Sequence, residues 1–268
     1  MRVSSKQKGT TPSRRIGLSR ALSKLGYCSR STAAELIRAG RVRLNGVLRR
    51  DPETPVAIRR DHIEVDGELV AESTRLYLAL NKPRRLVTTA SDERGRGTVY
   101  SCLPIDFPWV APLGRLDQAS EGLLLMTNDS EWGARILDPK SHVEKTYHVQ
   151  VGSQLDDSFA DSLVRGFQID GELLAAKHAR VLRRGRNTWL EIVLDEGKNR
   201  EIRRMLESRD VEVLRLIRVA IGPLPLGALA KGSWRHLTLA EKESLEVAVR
   251  RGLRQTRLER LAAQGTPS

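Results

Sequence analysis

The pattern of apolar residues predicts an α+β protein, with a small module of two helices and short strands followed by a larger domain on a mixed, largely antiparallel sheet. Three observations predict it. Strand-like runs outnumber helical ones and do not alternate with them as βαβ units would. The early strands turn at Asn45-Gly46 and Asp66-Gly67, dipeptides that favour two-residue hairpins. Neither a GxGxxG nor a GxxxxGKS/T phosphate loop occurs, so no nucleotide cofactor is expected.

Residues 1–13, with Lys6, Lys8, Gly9 and Pro12 among serines and threonines, have almost nothing to bury and read as a flexible basic tail. A first folded module is predicted over 14–72. There Ile16, Leu18, Leu22 and Leu25 recur at helical spacing, with Gly26 where a C-cap falls. Ser29 or Ser31 is placed to cap a second helix over 32–39, with Ala33, Leu36 and Ile37 inward and Gly40 at its end. Short strands at Val42–Leu44, from Val47, and at Ile63–Val65 complete the module.

A second domain is predicted over 73–240. It opens with a half-buried strand over 76–80 whose Leu76, Leu78 and Leu80 share a face, stopped at Asn81-Lys82-Pro83. A long charged loop over 91–112 follows. Next come a buried strand over 123–127 and a helix over 131–137 capped by Asp129, with Trp132 and Ile136 inward. A strand over 145–151 alternates Tyr147, Val149 and Val151 against polar neighbours. A helix over 156–165, strands over 179–182 and 188–194, a helix over 199–207 and a strand over 213–219 complete the domain. Residues 241–268, rich in Arg and Leu, predict a terminal helix around 245–261 and a frayed end.

The 268-residue chain carries a formal net charge of +13, which favours a nucleic-acid partner over an anionic membrane. No apolar run has the length of a membrane span, and the basic N-terminus lacks the apolar core of a secretory signal. Two distant cysteines, Cys28 and Cys102, imply neither a disulfide framework nor a thiolate metal site and fit a reducing cytoplasm. The five histidines show no ligand spacing, so no metal is expected.

The most informative stretch is Gly114-Arg115-Leu116-Asp117-Gln118-Ala119-Ser120-Glu121-Gly122, just before the apolar run Leu123-Leu124-Leu125-Met126. An aspartate in a glycine-bounded loop is ordinarily a turn residue. Here Leu116 can anchor the loop so that Arg115 and Asp117 project together, and the apolar strand behind it gives a rigid base. A carboxylate beside apolar walls needs a cation to hold it ionised. The segment Gly197-Lys198-Asn199-Arg200-Glu201-Ile202-Arg203-Arg204-Met205-Leu206 offers one: Ile202 and Leu206 mark a buried side, and Arg200 and Arg203 share the face beside it. Its start offers N–H groups to a phosphate near Lys198. A solvated basic helix face would look the same. Tyr147 reads as a core residue on pattern alone, though its hydroxyl can reach a pocket.

Two resemblances sharpen these readings. The run LSRALSKLGYCSRSTAAELIRAGRVRLNG resembles an S4 RNA-binding domain, which implies that Arg14, Arg20, Lys24, Arg30, Arg38, Arg41 and Arg43 face RNA phosphates. That module together with LNKP, GRLDQASEGLLLMTND, KTY, EGKNREIRRML and GPLPLGALAKGSWRHLT resembles the RsuA/RluB/RluE/RluF-type ribosomal RNA pseudouridine synthases from Ile16 to Thr238. Glu201, where the family commonly has glutamine, Ser208-Arg209-Asp210, which lacks a usual glycine, and Ser130, which replaces another, depart from the pattern. The resemblance implies isomerisation of a uridine within RNA without cofactor or metal, by a monomer acting on ribosomal RNA or an assembling ribosomal subunit. It implies Asp117 as the catalytic carboxylate, Arg203 as its partner and Tyr147 as a base-stacking or proton-transfer residue. Lys82, Arg115, Lys198, Arg200 and Arg204 would then contact RNA. The target nucleotide would be flipped into the pocket. Asp117 would attack C1′ or take a sugar proton to give a glycal, and both routes stay open. A non-catalytic ribosome-binding or assembly protein that uses the S4 module alone is the alternative; within the enzymes, transfer RNA is a less favoured substrate.

Overall fold

The computed structural model describes residues 15–89 and 95–264. Arg14, the 1–13 tail and part of the loop over 91–112 lie outside the described residues. The chain divides after Thr74 into two units, each with its own core.

The first unit runs β1 (Ile16–Gly17), α1 (Leu18–Lys24), α2 (Arg30–Arg38), β2 (Val42–Leu44), β3 (Val47–Arg49), β4 (Pro55–Val56), β5 (Ile63–Val65) and β6 (Glu68–Leu69). Ser29 is the cap: its Oγ accepts the Thr32 N–H at 3.0 Å. Asn45 and Gly46 both take positive φ, and Leu44 faces Val47 across the hairpin, which is the two-residue turn the dipeptide predicts. An antiparallel sheet of order β3-β2-β5-β6 packs beneath the helix pair around Leu18, Leu22, Ile37 and Val42. Ile16 departs from its helical spacing. It pairs with Val56 as a short strand, because a long-range ladder there outweighs the local period.

The second unit holds β7 (Tyr77–Lys82), β8 (Ala111–Leu113), β9 (Glu121–Thr127), α3 (Ser130–Leu137), β10 (Lys145–Val151), α4 (Asp157–Arg165), β11 (Phe167–Ile169), β12 (Glu172–Leu174), β13 (His178–Arg183), β14 (Thr188–Leu194), α5 (Glu201–Glu207), β15 (Val213–Ile221), β16 (Leu224–Pro225), β17 (Trp234–His236) and α6 (Leu239–Gln264). Single 3-10 turns stand at Val99–Cys102 and Pro139–Ser141. The main sheet has the order β13-β14-β10-β15-β9-β7-β17, with β8 on β9 and β16 on β15. Every pairing in it is antiparallel except β15 with β9. The sheet is thus mixed and largely antiparallel.

Three differences from the sequence reading have clear causes. β7 is covered on both faces, because Leu78 and Leu80 pack with Val99, Val110 and Leu116 in one apolar cluster while Ala79 packs with residues of α3 and α6 in another. α5 begins at Glu201 rather than 199, since Arg200 stands in the left-handed region at φ 49°. β11 and β12 form a hairpin through Asp170-Gly171, both at positive φ, where a plain connection was expected.

One row across this sheet positions the site. Ile192 of β14, Tyr147 of β10, Arg218 of β15, Gly122 of β9 and Lys82 of β7 are successive ladder partners. Gly122 has φ 105°, and a Cβ there would collide with the Arg218 backbone, so only glycine lets β9 approach β15 at this point.

Candidate active site

The loop joining β8 to β9 carries Asp117 over the end of that row. Leu116 is buried and anchors it, as its apolar side chain predicts. The Thr88 hydroxyl donates to the Leu116 carbonyl at 2.8 Å and accepts the Leu116 N–H at 3.2 Å. Arg85 N–H donates to the Gln118 carbonyl at 2.7 Å, and the Gln118 amide donates back to the Arg85 carbonyl at 3.2 Å. From beneath, the Lys82 ammonium donates to the carbonyls of Ser120 at 2.8 Å and of Asp117 and Pro83 at 3.1 Å each. Lys82 has no exposed surface, and burial pulls its pKa down to about 8 against the pull of Asp117. The expectation that Lys82 meets RNA phosphate is therefore corrected: its charge is spent inside the protein, holding the loop.

Asp117 is half-exposed and faces two guanidinium groups. Its Oδ2 lies 3.9 Å from Arg203 Nε and 3.8 Å from Arg200 Nη1. These are ion-pair distances, too long for hydrogen bonds. Arg203 is buried on α5; its Nη2 donates to the Ala119 carbonyl at 3.5 Å, while its Nε has no hydrogen-bond partner among the described residues. Burial, and then the neighbouring Arg200, lower the Arg203 pKa, and Asp117 opposes them. The same aspartate oxygen thus sits between a buried cation and an exposed one.

Asp117, Tyr147, Arg200 and Arg203 line one cavity of 440 Å³. Tyr147 is half-buried, packed against two apolar clusters. Arg115 is exposed at the rim. Three further residues line this cavity that the sequence reading assigned to packing or passed over. Arg218 is buried, donates from Nε to the Leu123 carbonyl at 2.6 Å, and keeps Nη2 without a partner among the described residues. Lys145 donates to the Asp195 carbonyl at 3.3 Å, and burial followed by Arg218 lowers its pKa. Glu201 is buried, and burial raises its pKa. The signal was available: a charged residue at an inward position of an apolar strand has to be paired or functional.

The remaining cations divide into two groups. Lys198 lies near Glu172 at 3.4 Å and Glu196 at 3.5 Å, and Arg204 holds Glu172 at 3.0 Å and Asp170 at 3.4 Å. Both are partly exposed and face carboxylates of their own domain. The N–H of Lys198, expected to be open to a phosphate, donates to Glu201 at 3.3 Å. In the first unit Arg20, Arg30, Arg38, Arg41 and Arg43 are exposed and Lys24 is half-buried. Among the described residues Arg41 is the one of these arginines in an ion pair, its Nε donating to Asp66 at 2.9 Å. Among the described residues no group of three or more His, Cys, Asp or Glu side chains could hold a metal ion.

A carboxylate on a tethered loop, two guanidinium groups near its oxygen and a half-buried tyrosine thus share one cavity. The profile of the RNA pseudouridylate synthases matches residues 76–208, and that of the S4 domain matches residues 17–58. An uncharacterized RNA pseudouridine synthase of Aquifex aeolicus is 36% identical over 237 residues, covering 87% of this chain and 95% of that protein. The ribosomal large subunit pseudouridine synthase B of Escherichia coli K12 is 36% identical over 241 residues, covering 87% and 82%. A crystal structure of a pseudouridylate synthase superposes with a TM-score of 0.62 at 28% identity, over 86% of this chain and 99% of that one. The chain belongs to the RNA pseudouridine synthases, in the branch that carries an S4 domain ahead of the catalytic domain.

Proposed function

We propose that the protein converts a uridine of ribosomal RNA to pseudouridine, with Asp117 as the catalytic carboxylate. The observation that carries this reading is the placement of Asp117 Oδ2 beside Arg203 Nε and Arg200 Nη1 at the edge of the cavity that Tyr147 lines. Similarity to a ribosomal large subunit synthase supports ribosomal RNA as the substrate.

In this reading the target nucleotide leaves its stack and enters the cavity, at a cost of a few kcal/mol that phosphate contacts offset. Asp117 then attacks C1′, or removes a sugar proton to give a glycal. Either step breaks the bond from C1′ to N1 of the base. The detached uracil turns and C5 bonds to C1′, displacing the Asp117 carboxylate on the first route or with return of the abstracted sugar proton on the second. The C5 proton is then lost to solvent or a base and N1 takes up a proton, so that the product is an isomer of the substrate. Tyr147 provides the face on which the base turns. The Arg203 Nε donor, held near the carboxylate in the resting site, closes on it as charge shifts during reaction.

Asp117→Asn should keep the fold and the RNA affinity and lower pseudouridine formation by at least about a thousandfold, in line with loss of a covalent or proton-transfer group. Mapping pseudouridines in ribosomal RNA from cells with the wild-type gene, the variant, or neither reads the result. Turnover by the variant within tenfold of wild type removes Asp117 from the mechanism. Loss of RNA binding without any change in modification supports a binding protein instead.

A further inference from the structure

We propose that the second half of α6 is a phosphate-docking face for the RNA that flanks the target nucleotide; this rests on the reading that the substrate is RNA. Charge is segregated along α6. Near its start Arg235 holds Glu241 at 2.7 Å and Lys242 holds Glu246 at 2.7 Å. From residue 247 to 258 there is no acid, while Arg250, Arg251, Arg254 and Arg257 are all exposed, and none of the four makes an ion pair among the described residues. Arg250, Arg254 and Arg257 fall on one stripe of the helix, with Arg251 beside it. The helix dipole does not account for them: it favours cations only in the last turn, and α6 runs on to Gln264.

The opposite face of α6 packs against a turn that borders the Asp117 cavity. Leu245 and Val249 are buried beneath α6. Gly252 passes so close to the Ser141 carbonyl that no Cβ fits. The Thr256 hydroxyl donates to the Lys140 carbonyl at 2.9 Å. Lys140 and Ser141 belong to the 3-10 turn Pro139–Ser141, and Pro139 lines the Asp117 cavity. Lys140 and Arg135 are exposed without ion pairs among the described residues, and Arg135 and Arg250 border one groove between α3 and α6. The occupant that fits is a polyanion continuous with whatever fills the cavity, and an RNA strand is that. The exposed Leu258 and Leu261 would also suit an anionic bilayer. A bilayer, however, has no chain to send into the cavity.

The test is the full-length protein with Arg250, Arg251, Arg254 and Arg257 all changed to Gln, beside a version with all four changed to Lys; both residues keep helix propensity. Binding is measured to a ribosomal RNA transcript and to vesicles of phosphatidylcholine and phosphatidylglycerol, across a series of salt concentrations. The Gln protein should bind RNA at least about tenfold more weakly at moderate salt, with a log–log salt slope flatter by about 2–4, as expected for losing that many phosphate contacts. The Lys protein should restore both, whether or not the Gln protein folds fully, and turnover at saturating RNA should match wild type. An RNA affinity and slope unchanged in the Gln protein, a Lys protein that fails to rescue, or a loss confined to vesicles overturns the proposal. RNA binding that depends on the stripe in a protein that forms no pseudouridine upholds the docking face and removes only the catalytic reading.

Discussion

Lys82 shows how much of the site depends on a residue that never meets solvent. Its ammonium donates to three carbonyls, those of Asp117 and Ser120 in the loop and that of its neighbour Pro83. Lys82→Met fills the same volume and leaves buried carbonyls unsatisfied, so it should destabilise the protein by about 2 kcal/mol or more. Loosening the loop should lower kcat by about tenfold to a hundredfold, the penalty of a misplacement on the order of 1 Å. The sign of the pH effect follows from the shift. With a folded pKa of about 8 against an ordinary 10.5, the unfolded chain holds more protons between those values. The difference in unfolding free energy between wild type and Lys82→Met should therefore rise from pH 8 to 10.5 and stay flat below 8. Denaturant titrations across that window check it, and a difference that falls instead would mean that the folded protein holds the ammonium more tightly than the unfolded chain does. Sequence alone marked Asp117, Tyr147 and Arg203, because their motifs are contiguous. Lys145 shares a strand face with Tyr147, and Arg218 with Leu216, so the sequence could mark both as charges set inward but could not say which site they serve. Only the ladder that sets Tyr147 beside Arg218 brings them to one place.

At the scale of elements, α5 repays attention because it delivers both guanidinium groups from a single short turn of chain. Arg200 stands in the left-handed region just before the helix, and Arg203 lies one turn later, so the two reach the same carboxylate oxygen from different directions. Glu201 closes the helix start by taking the Lys198 N–H. That local cap is why the segment does not offer its N–H groups outward as its glycine and basic residues led one to expect. The hairpin of β11 and β12 was legible in principle, as Asp170-Gly171 between Phe167-Gln168-Ile169 and Leu173-Leu174 is a turn signal, whereas β8 is too short and too proline-rich to show. Glu201 carries a second consequence. Burial raises its pKa above the ordinary 4.5, so the stability it contributes is fully present below 4.5 and is lost as pH rises through the folded value. Glu201→Gln keeps the shape and removes the titration. The variant should match or trail wild type at pH 4 and gain on it by about 1 kcal/mol or more towards pH 8, a gap that denaturant midpoints measured at several pH values will show; a gap independent of pH would place the carboxylate in solvent.

Across the whole molecule, the net charge of +13 is a poor guide to where RNA can bind, because pairing leaves that sum unchanged and decides only which individual cations stay uncompensated. In the synthase unit Lys198, Arg204, Arg215 and Lys231 all face carboxylates. In the S4 unit Arg20, Arg30 and Arg38 are exposed with no ion pair among the described residues, whereas Arg41 is held by Asp66, which lowers the Asp66 pKa and raises that of Arg41. A paired guanidinium has to give up its carboxylate before it gains a phosphate, so its net contribution to RNA binding is small. Charge pairing therefore predicts an order among arginines that composition treats alike. Changing Arg20, Arg30 and Arg38 together to Gln should raise the Kd for ribosomal RNA by about tenfold and flatten the log–log salt slope by about 2–3, at unchanged kcat with saturating RNA. Arg41→Gln should leave the log–log salt slope unchanged and Kd within about 1.2-fold, against about twofold for each of the other three, since its loss also frees Asp66 and the two changes offset. Fluorescence anisotropy over a range of potassium chloride concentrations distinguishes the two. An Arg41 effect as large as the mean effect of the other three would show that RNA displaces Asp66 on binding, and that the pairing seen in the free protein does not select the RNA-facing cations.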